Sequence, residues 1–207
     1  MKKAKLIGTI IGVILFSILI TGLTYAWYTW RSSDIIVSGT TKWFNINYTK
    51  GKTLNNESAI LFDESTIISE NQVTIKNGMA LTSLTAALDS SCGFTADITI
   101  NLTVNTLDEA FTSLGESTGA LKYVFINYDP TVYTDITTEA LNGTVFDIVK
   151  TGSISETGQI TLGTDSLLTT SKGYILLFYV DGDLALDDAQ DATFSASIGI
   201  DATQTIE

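Results

Sequence analysis

Apolar and polar residues alternate along most of the chain after residue 40. Residues 192–202 (ATFSASIGIDA) carry an apolar side chain at every second position, and residues 96–104 (ADITINLTV) repeat the pattern. A period of two predicts a β-strand with one buried and one solvent-facing side. The rows expected to face inward are Phe194, Ala196, Ile198, Ile200 and Ala202 in the first segment, and Ile98, Ile100, Leu102 and Val104 in the second.

Other segments extend this pattern. Residues 42–48, 73–76 and 144–149 alternate over shorter lengths, whereas 121–128 (LKYVFINY) and 174–180 (YILLFYV) are nearly continuous apolar runs. Such runs are typical of central strands packed on both faces, although periodicity alone leaves a buried helix open. Asn77-Gly78, Asn142-Gly143 and Asp181-Gly182 are candidate turns.

One short segment has helical rather than strand spacing. In residues 106–114 the apolar positions Leu107, Ala110, Phe111 and Leu114 are separated by three or four residues, Thr106 is a candidate N-cap, and Gly115 comes directly after. About ten short strands and few helices indicate an all-β fold. We therefore predict an antiparallel, jelly-roll-like β-sandwich over residues 40–207, with one short helix and a preceding N-terminal hydrophobic helix.

The N-terminus reads as an export signal. Lys2, Lys3 and Lys5 precede an uncharged, mostly apolar run over residues 6–23, and Thr24 and Ala26 supply small residues at positions three and one before a break. These are the parts of a secretory signal peptide, so signal peptidase would cut between Ala26 and Trp27.

The length of the apolar run leaves a second outcome open. As a helix it would reach roughly 27 Å at 1.5 Å per residue, close to the ~30 Å hydrocarbon core of a bilayer. Residues 1–26 are therefore a signal peptide or a membrane anchor, and the chain is membrane-associated at least before cleavage. In either case the other 181 of the 207 residues lie outside the cytoplasm.

Charge and composition exclude several classes of function. Without the three leader lysines, the chain has 8 basic and 23 acidic residues and therefore a net charge of −15. So acidic a surface repels phosphate backbones, and we expect no nucleic-acid partner. The chain has no histidine, which removes the usual catalytic triads and His-ligated zinc, and we expect no enzyme activity. Cys92, the single cysteine, is either a small buried residue or a cross-link to another chain.

One loop is a weak candidate for a metal site. Residues 181–191 hold five carboxylates that could gather around Ca²⁺, although the glycine and closing glutamate of the EF-hand pattern are missing. A solvated turn between two core strands is the favoured interpretation, and no cofactor is expected beyond this Ca²⁺ candidate. The carboxylates are those of Asp181, Asp183, Asp187, Asp188 and Asp191.

Three segments together resemble the TasA family (TasA/camelysin-like) of secreted biofilm matrix fibre proteins. They are the leader junction Ala26-Trp27-Tyr28, the sequence IVSG over residues 36–39, and the closing strand FSASIGIDATQ over residues 194–204. Some members of that family have been described as metalloproteases, and a chain without histidine departs from them.

The resemblance implies a mechanism of assembly. In TasA-like fibres the mature N-terminal segment leaves its own domain and adds as a strand to the neighbouring subunit, which makes a head-to-tail homopolymer. Here the donor strand would be residues 27–39, which contain no proline to interrupt a hydrogen-bond ladder. Its large or β-branched side chains are those of Trp27, Tyr28, Trp30, Ile35, Ile36 and Val37.

Two functions from different classes are compatible with these features. The first is a structural subunit of an extracellular biofilm or cell-surface fibre, for which other matrix components stay open as partners. The alternative is a membrane-anchored or secreted β-sandwich adhesin or binding module that does not polymerise, with residues 27–39 folding back as an ordinary first strand.

Overall fold

The computed structural model describes residues 46–50, 54–58, 60–90 and 95–205, all of which belong to the second of two units, Ile36–Glu207. Strands dominate these residues. They are β1 (Ile46–Lys50), β2 (Leu54–Ser58), β3 (Leu61–Phe62), β4 (Ile68–Ser69), β5 (Gln72–Thr74), β6 (Ala80–Leu88), β7 (Thr95–Leu107), β8 (Leu121–Tyr128), β9 (Val145–Ser153), β10 (Gly158–Leu167), β11 (Lys172–Asp181) and β12 (Thr193–Thr205), with a four-residue helix α1 (Glu64–Ile67) between β3 and β4.

The smaller sheet has the order β10-β7-β12-β2 and is antiparallel throughout. Its centre is the pairing of β7 with β12, the two longest strands, which runs from Leu107 opposite Phe194 to Thr95 opposite Thr205. Both strands turn their apolar rows to the same side, as their alternation predicts, and these rows are almost fully buried.

The larger sheet has the order β1-β6-β11-β8-β9-β5-β4, and β3 adds in parallel beside the end of β11. Its central strands β8 and β11 pair along most of their length. The chain passes repeatedly from one sheet to the other, so the sheets form a sandwich-like architecture around shared apolar rows.

Two hydrophobic cores lie on opposite faces of the larger sheet. The first core fills the space between the sheets, and the second lies on the outer face under α1, β5 and residues 129–144. Strand β11 serves both cores, because alternate side chains point to opposite faces. Tyr174, Leu176 and Phe178 enter the first core, and Ile175 and Leu177 enter the second.

The all-β prediction is confirmed, as are the strands predicted at 96–104, 121–128, 144–149, 174–180 and 192–202. Burial on both faces of β8 and β11 explains their continuous apolar runs. Of the segment 42–48, only the part from Ile46 lies within the described residues. The alternation did not single out β6 and β10, and in β10 a bulge between Thr161 and Gly163 interrupts the period.

The helix predicted over residues 106–114 is wrong. Thr106 and Leu107 continue strand β7, and the chain then forms a three-residue 3₁₀ turn, Glu109–Phe111, capped by the Asp108 carboxylate rather than by Thr106. Pairing with Ser195 and Phe194 of β12 holds these two residues extended, so tertiary contacts override the local spacing. A Cβ on Gly115 would collide with the carbonyl oxygen of Ala110, so glycine is needed where the turn closes.

Several predicted features lie outside the described residues, including the leader and the donor strand. Across the part of the chain that the structure describes, no helix has the length and apolarity needed to cross a membrane.

The corrected turn makes a testable distinction between two residues of the failed helical pattern. Phe111 is fully buried in the first core, whereas Leu114 is 81% exposed. Phe111→Ala should lower the free energy of unfolding by about 3–5 kcal/mol through cavity formation, and Leu114→Ala should change it by no more than about 0.5 kcal/mol. Urea unfolding of both variants measures the difference. Comparable losses of unfolding free energy in both variants would instead support a helix over residues 106–114.

Candidate functional site

The two long sides of the smaller sheet differ in how their strands are paired. On one side of β12, β7 runs along the strand to Thr205, but on the other side β2 pairs only with Thr193, Phe194 and Ala196. Among the described residues, no strand pairs with residues 199–205 on the β2 side.

The outer face of the sheet beside this edge is polar. Asn101 of β7 lies between Thr161 of β10 and Gly199 of β12. Its amide group donates to Asp201 at 2.7 Å, and its carbonyl oxygen accepts from the Thr161 hydroxyl at 3.0 Å. A Cβ at Gly199 would meet no described atom within 4 Å.

A lysine links the two sheets at β10. Lys150 of β9 pairs with Phe125, and its ammonium donates to the backbone carbonyl of Thr161 at 2.5 Å. This carbonyl lies at the β10 bulge, so the charge reaches from the larger sheet to the edge of the smaller one. A lysine and a bulge at a sheet edge are two devices by which edge strands resist pairing with another chain.

A second polar group links the two sheets on the same side, further along β10. Asp165 accepts hydrogen bonds from Lys172 Nζ at 2.6 Å and from the Tyr174 hydroxyl at 3.0 Å. Partial burial raises the pKa of the Asp165 carboxyl, but these bonds and one from the Ser166 backbone N–H outweigh burial and bring it below 3.8. Burial and the neighbouring carboxylate raise the pKa of Tyr174, so its hydroxyl stays a donor. This group is therefore an ionised carboxylate held by a lysine and a tyrosine.

Two carboxylates of the loop considered for Ca²⁺ accept hydrogen bonds from within the domain. Asp181 is buried at the end of β11 and accepts from the Asp183 backbone N–H at 3.1 Å. The Asp188 carboxylate accepts from the buried Ser117 hydroxyl and from the Glu116 backbone N–H at 2.7 Å. Both bonds lower the pKa of the Asp188 carboxyl, and the bond from the Ser117 hydroxyl has the larger effect.

Asp187 and Asp191 are exposed on the same loop, Asp191 in a left-handed conformation with φ of 61°. Within the described residues no three acidic, histidine or cysteine side chains form a group that could hold a metal ion. The loop thus clamps residues 116–117 to the end of β11, and Ca²⁺ binding there stays a prediction.

An acidic cleft of about 390 Å³ lies beside this clamp. Asp108, Glu109, Glu116 and Asp188 line it, together with the exposed side chain of Leu114. A carboxylate-lined surface of this kind favours cations over anions, in line with the overall charge.

The other predicted functional residues lie outside the described part of the chain. These are the cleavage-site residues Thr24, Ala26 and Trp27, the remaining donor residues Tyr28, Trp30, Ile35, Ile36 and Val37, and Cys92. The donor segment therefore stays a prediction from sequence.

No protein-family model matches this chain, and no curated protein is similar to it at a significant level. The functional argument therefore depends on the residues and geometry described above.

Sequence reasoning did not identify the groups that close the β10 side. Lys150 interrupts an alternating strand, and a lysine within a strand is a signal of an edge. The contact between Asp165 and Lys172 joins β10 of the smaller sheet to β11 of the larger one, and the alternation gave no signal of a contact between strands of different sheets.

The Asp165 group predicts a specific pH dependence of stability. Because the folded pKa is depressed, its contribution is present above the ordinary aspartate pKa and is lost as pH falls through the folded value. Asp165→Asn should therefore be less stable than the wild type at pH 7, and the difference in their free energies of unfolding should narrow below about pH 4. Urea unfolding of both proteins from pH 7 to pH 3 measures this difference.

Asp135→Asn, the same charge change at an exposed loop position, is the control. A stability gap for Asp165→Asn that does not change with pH, or that merely equals the control, contradicts the assignment.

Proposed function

We propose that this protein is a secreted structural subunit of an extracellular fibre, in a biofilm matrix or on a cell surface. Subunits join head-to-tail, with residues 27–39 of one copy adding as a β-strand to the next. The observation that carries the proposal is a leader followed directly by a proline-free segment of aromatic and β-branched residues, in front of a domain built from two β-sheets. Such a segment can add as a strand to a sheet edge of a second copy.

The donor segment has the composition this role requires. Residues 27–39 are WYTWRSSDIIVSG, rich in aromatic and β-branched residues and free of proline. Each large side chain that becomes buried on addition contributes ~1.5–3 kcal/mol, so three or four anchors would make a long-lived junction. Because donor and acceptor lie at different places on the subunit, the contact is heterologous and generates an open filament.

The fold fits a jelly-roll-like sandwich, which we include in the proposal. The chain crosses repeatedly between the sheets, with β7, β10 and β12 in the smaller sheet and β8, β9 and β11 in the larger. Export by the N-terminal leader would place the domain outside the cell, and the subunit needs no catalytic site.

The leader has a second role in this mechanism. While Trp27 is joined to an apolar helix in the membrane, residues 27–39 cannot move freely to a neighbour. Cleavage after Ala26 would therefore license assembly and confine it to the extracellular side.

Removing the donor tests the proposal. Residues 27–207 should form ordered filaments, and a version beginning at Ser38 should stay monomeric, because it lacks most of the added strand. Electron microscopy of both, with intact mass confirming each N-terminus, is the measurement.

A version with Trp27, Trp30 and Ile36 changed to Ser is the matched control, since it keeps the length of the segment and removes its anchors. It should also fail to polymerise. Filaments from the shortened protein would contradict strand donation, and monomers from all three at high concentration would favour the binding-module alternative.

A further inference from the structure

We propose that Asn77 is a site of spontaneous deamidation, and that the fold protects the chain's other Asn-Gly pair, Asn142-Gly143, from the same reaction. This inference goes beyond the proposed function and does not depend on it. Asparagine is a thermolabile residue, and it reacts fastest before glycine, because glycine has no Cβ to hinder the approach of its backbone nitrogen. The two Asn-Gly pairs therefore start with similar intrinsic reactivity, and the fold decides between them.

The reaction needs only water. The backbone nitrogen of Gly78 attacks the side-chain Cγ of Asn77, and the amide group leaves as ammonia with the proton of the Gly78 N–H, which closes a succinimide ring. Water then opens the ring at one of its two carbonyls, giving aspartate or isoaspartate. Either product has a carboxylate in place of the amide and adds one negative charge to the chain.

The two Asn-Gly pairs occupy equivalent turns. In residues 76–79 and in residues 141–144, the N–H of the fourth residue donates to the carbonyl of the first, at 3.3 and 2.8 Å. Glycine is the third residue of both turns, with φ of 93° at Gly78 and 81° at Gly143, a conformation that favours glycine at this position. Both asparagines are exposed. Turn shape and exposure therefore do not distinguish the two pairs.

Hydrogen bonds restrain both reacting groups of Asn142-Gly143. The Gly143 N–H, which would have to attack, donates to the carbonyl of Ile75 at 2.8 Å, and Asn142 Oδ1 accepts from the backbone N–H of Asn77 at 3.1 Å. Ile75 is fully buried in the second core, so the first bond is anchored to that core. Both bonds must open before the ring can close, which slows the reaction by a factor of at least about ten.

The reacting groups of Asn77-Gly78 are placed differently. The Met79 N–H closes this turn, and among the described residues no carbonyl accepts a hydrogen bond from the Gly78 N–H. Asn77 contributes its backbone N–H to the contact with Asn142, so its side-chain Cγ takes no part in that bond. The exposed turn at residues 76–79 therefore has the more reactive asparagine.

The third candidate turn, Asp181-Gly182, follows the protected pattern. Aspartate before glycine can form the same ring with loss of water, but the Gly182 N–H donates to the carbonyl of Phe62 at 2.9 Å, and Asp181 is buried. A backbone bond to the attacking nitrogen is thus common to this pair and to Asn142-Gly143.

Isoaspartate at position 77 would alter the contact between the two turns. It adds one atom to the backbone between Ile75 and Met79, both of which are buried in the second core. The Gly143 N–H, bonded to Ile75, should therefore exchange its hydrogen faster in aged protein than in fresh protein. Unchanged exchange in protein that carries isoaspartate would contradict this consequence.

Mass spectrometry of the two sites measures the reaction. The full chain, kept in mild detergent because of the apolar run over residues 6–23, is incubated in warm, mildly alkaline buffer, and digestion with pepsin in acid stops the reaction. Each deamidated asparagine makes its peptide about 1 Da heavier. We expect Asn77 to react at least about tenfold faster than Asn142 in the folded protein. In urea the two rates should become comparable, because unfolding removes the protection.

Asn77→Gln is the matched control, because glutamine keeps the side-chain amide but would have to close a larger ring, which is slower. It also keeps the backbone N–H that bonds Asn142, so the reaction at position 77 should stop and Asn142 should stay as slow as in the wild type. Equal rates at the two sites in folded protein, a faster reaction at Asn142, or no reaction at Asn77 while both react in urea would each overturn the proposal.

Discussion

The antiparallel ladder between β7 and β12 is the interaction on which the rest of the structure depends. It aligns two apolar rows along one face, and those rows bury the inner side of the larger sheet. Because β7 is also paired with β10, the two apolar rows are held in the middle of the smaller sheet.

Polar groups link the two sheets along the β10 side of the sandwich. Lys150 and the Asp165–Lys172–Tyr174 group span the gap between the sheets there. In the proposed fibre, a side that resists strand addition would help to limit each subunit to one junction and so to prevent branching.

The sequence predicts much of this fold because alternation and burial have the same cause. The rows of β7 and β12 and the two-sided burial of β8 and β11 follow directly from side-chain direction in a strand. The helical spacing from Leu107 to Leu114 gave a wrong prediction of a helix. Pairing with Phe194 and Ser195 of β12 keeps the start of this segment in strand β7, and Leu114 lies in solvent. The order of the strands was beyond prediction for a related reason: which strands are neighbours depends on contacts between residues about a hundred positions apart.

Hydrogen–deuterium exchange on assembled and unassembled protein measures the central claim most directly. Backbone amides of residues 27–39 should exchange much more slowly in filaments than in unassembled protein, since strand addition gives them hydrogen-bond partners. The amides of β7, which is already paired on both sides, should not change. Unchanged exchange at residues 27–39 in confirmed filaments would contradict the account.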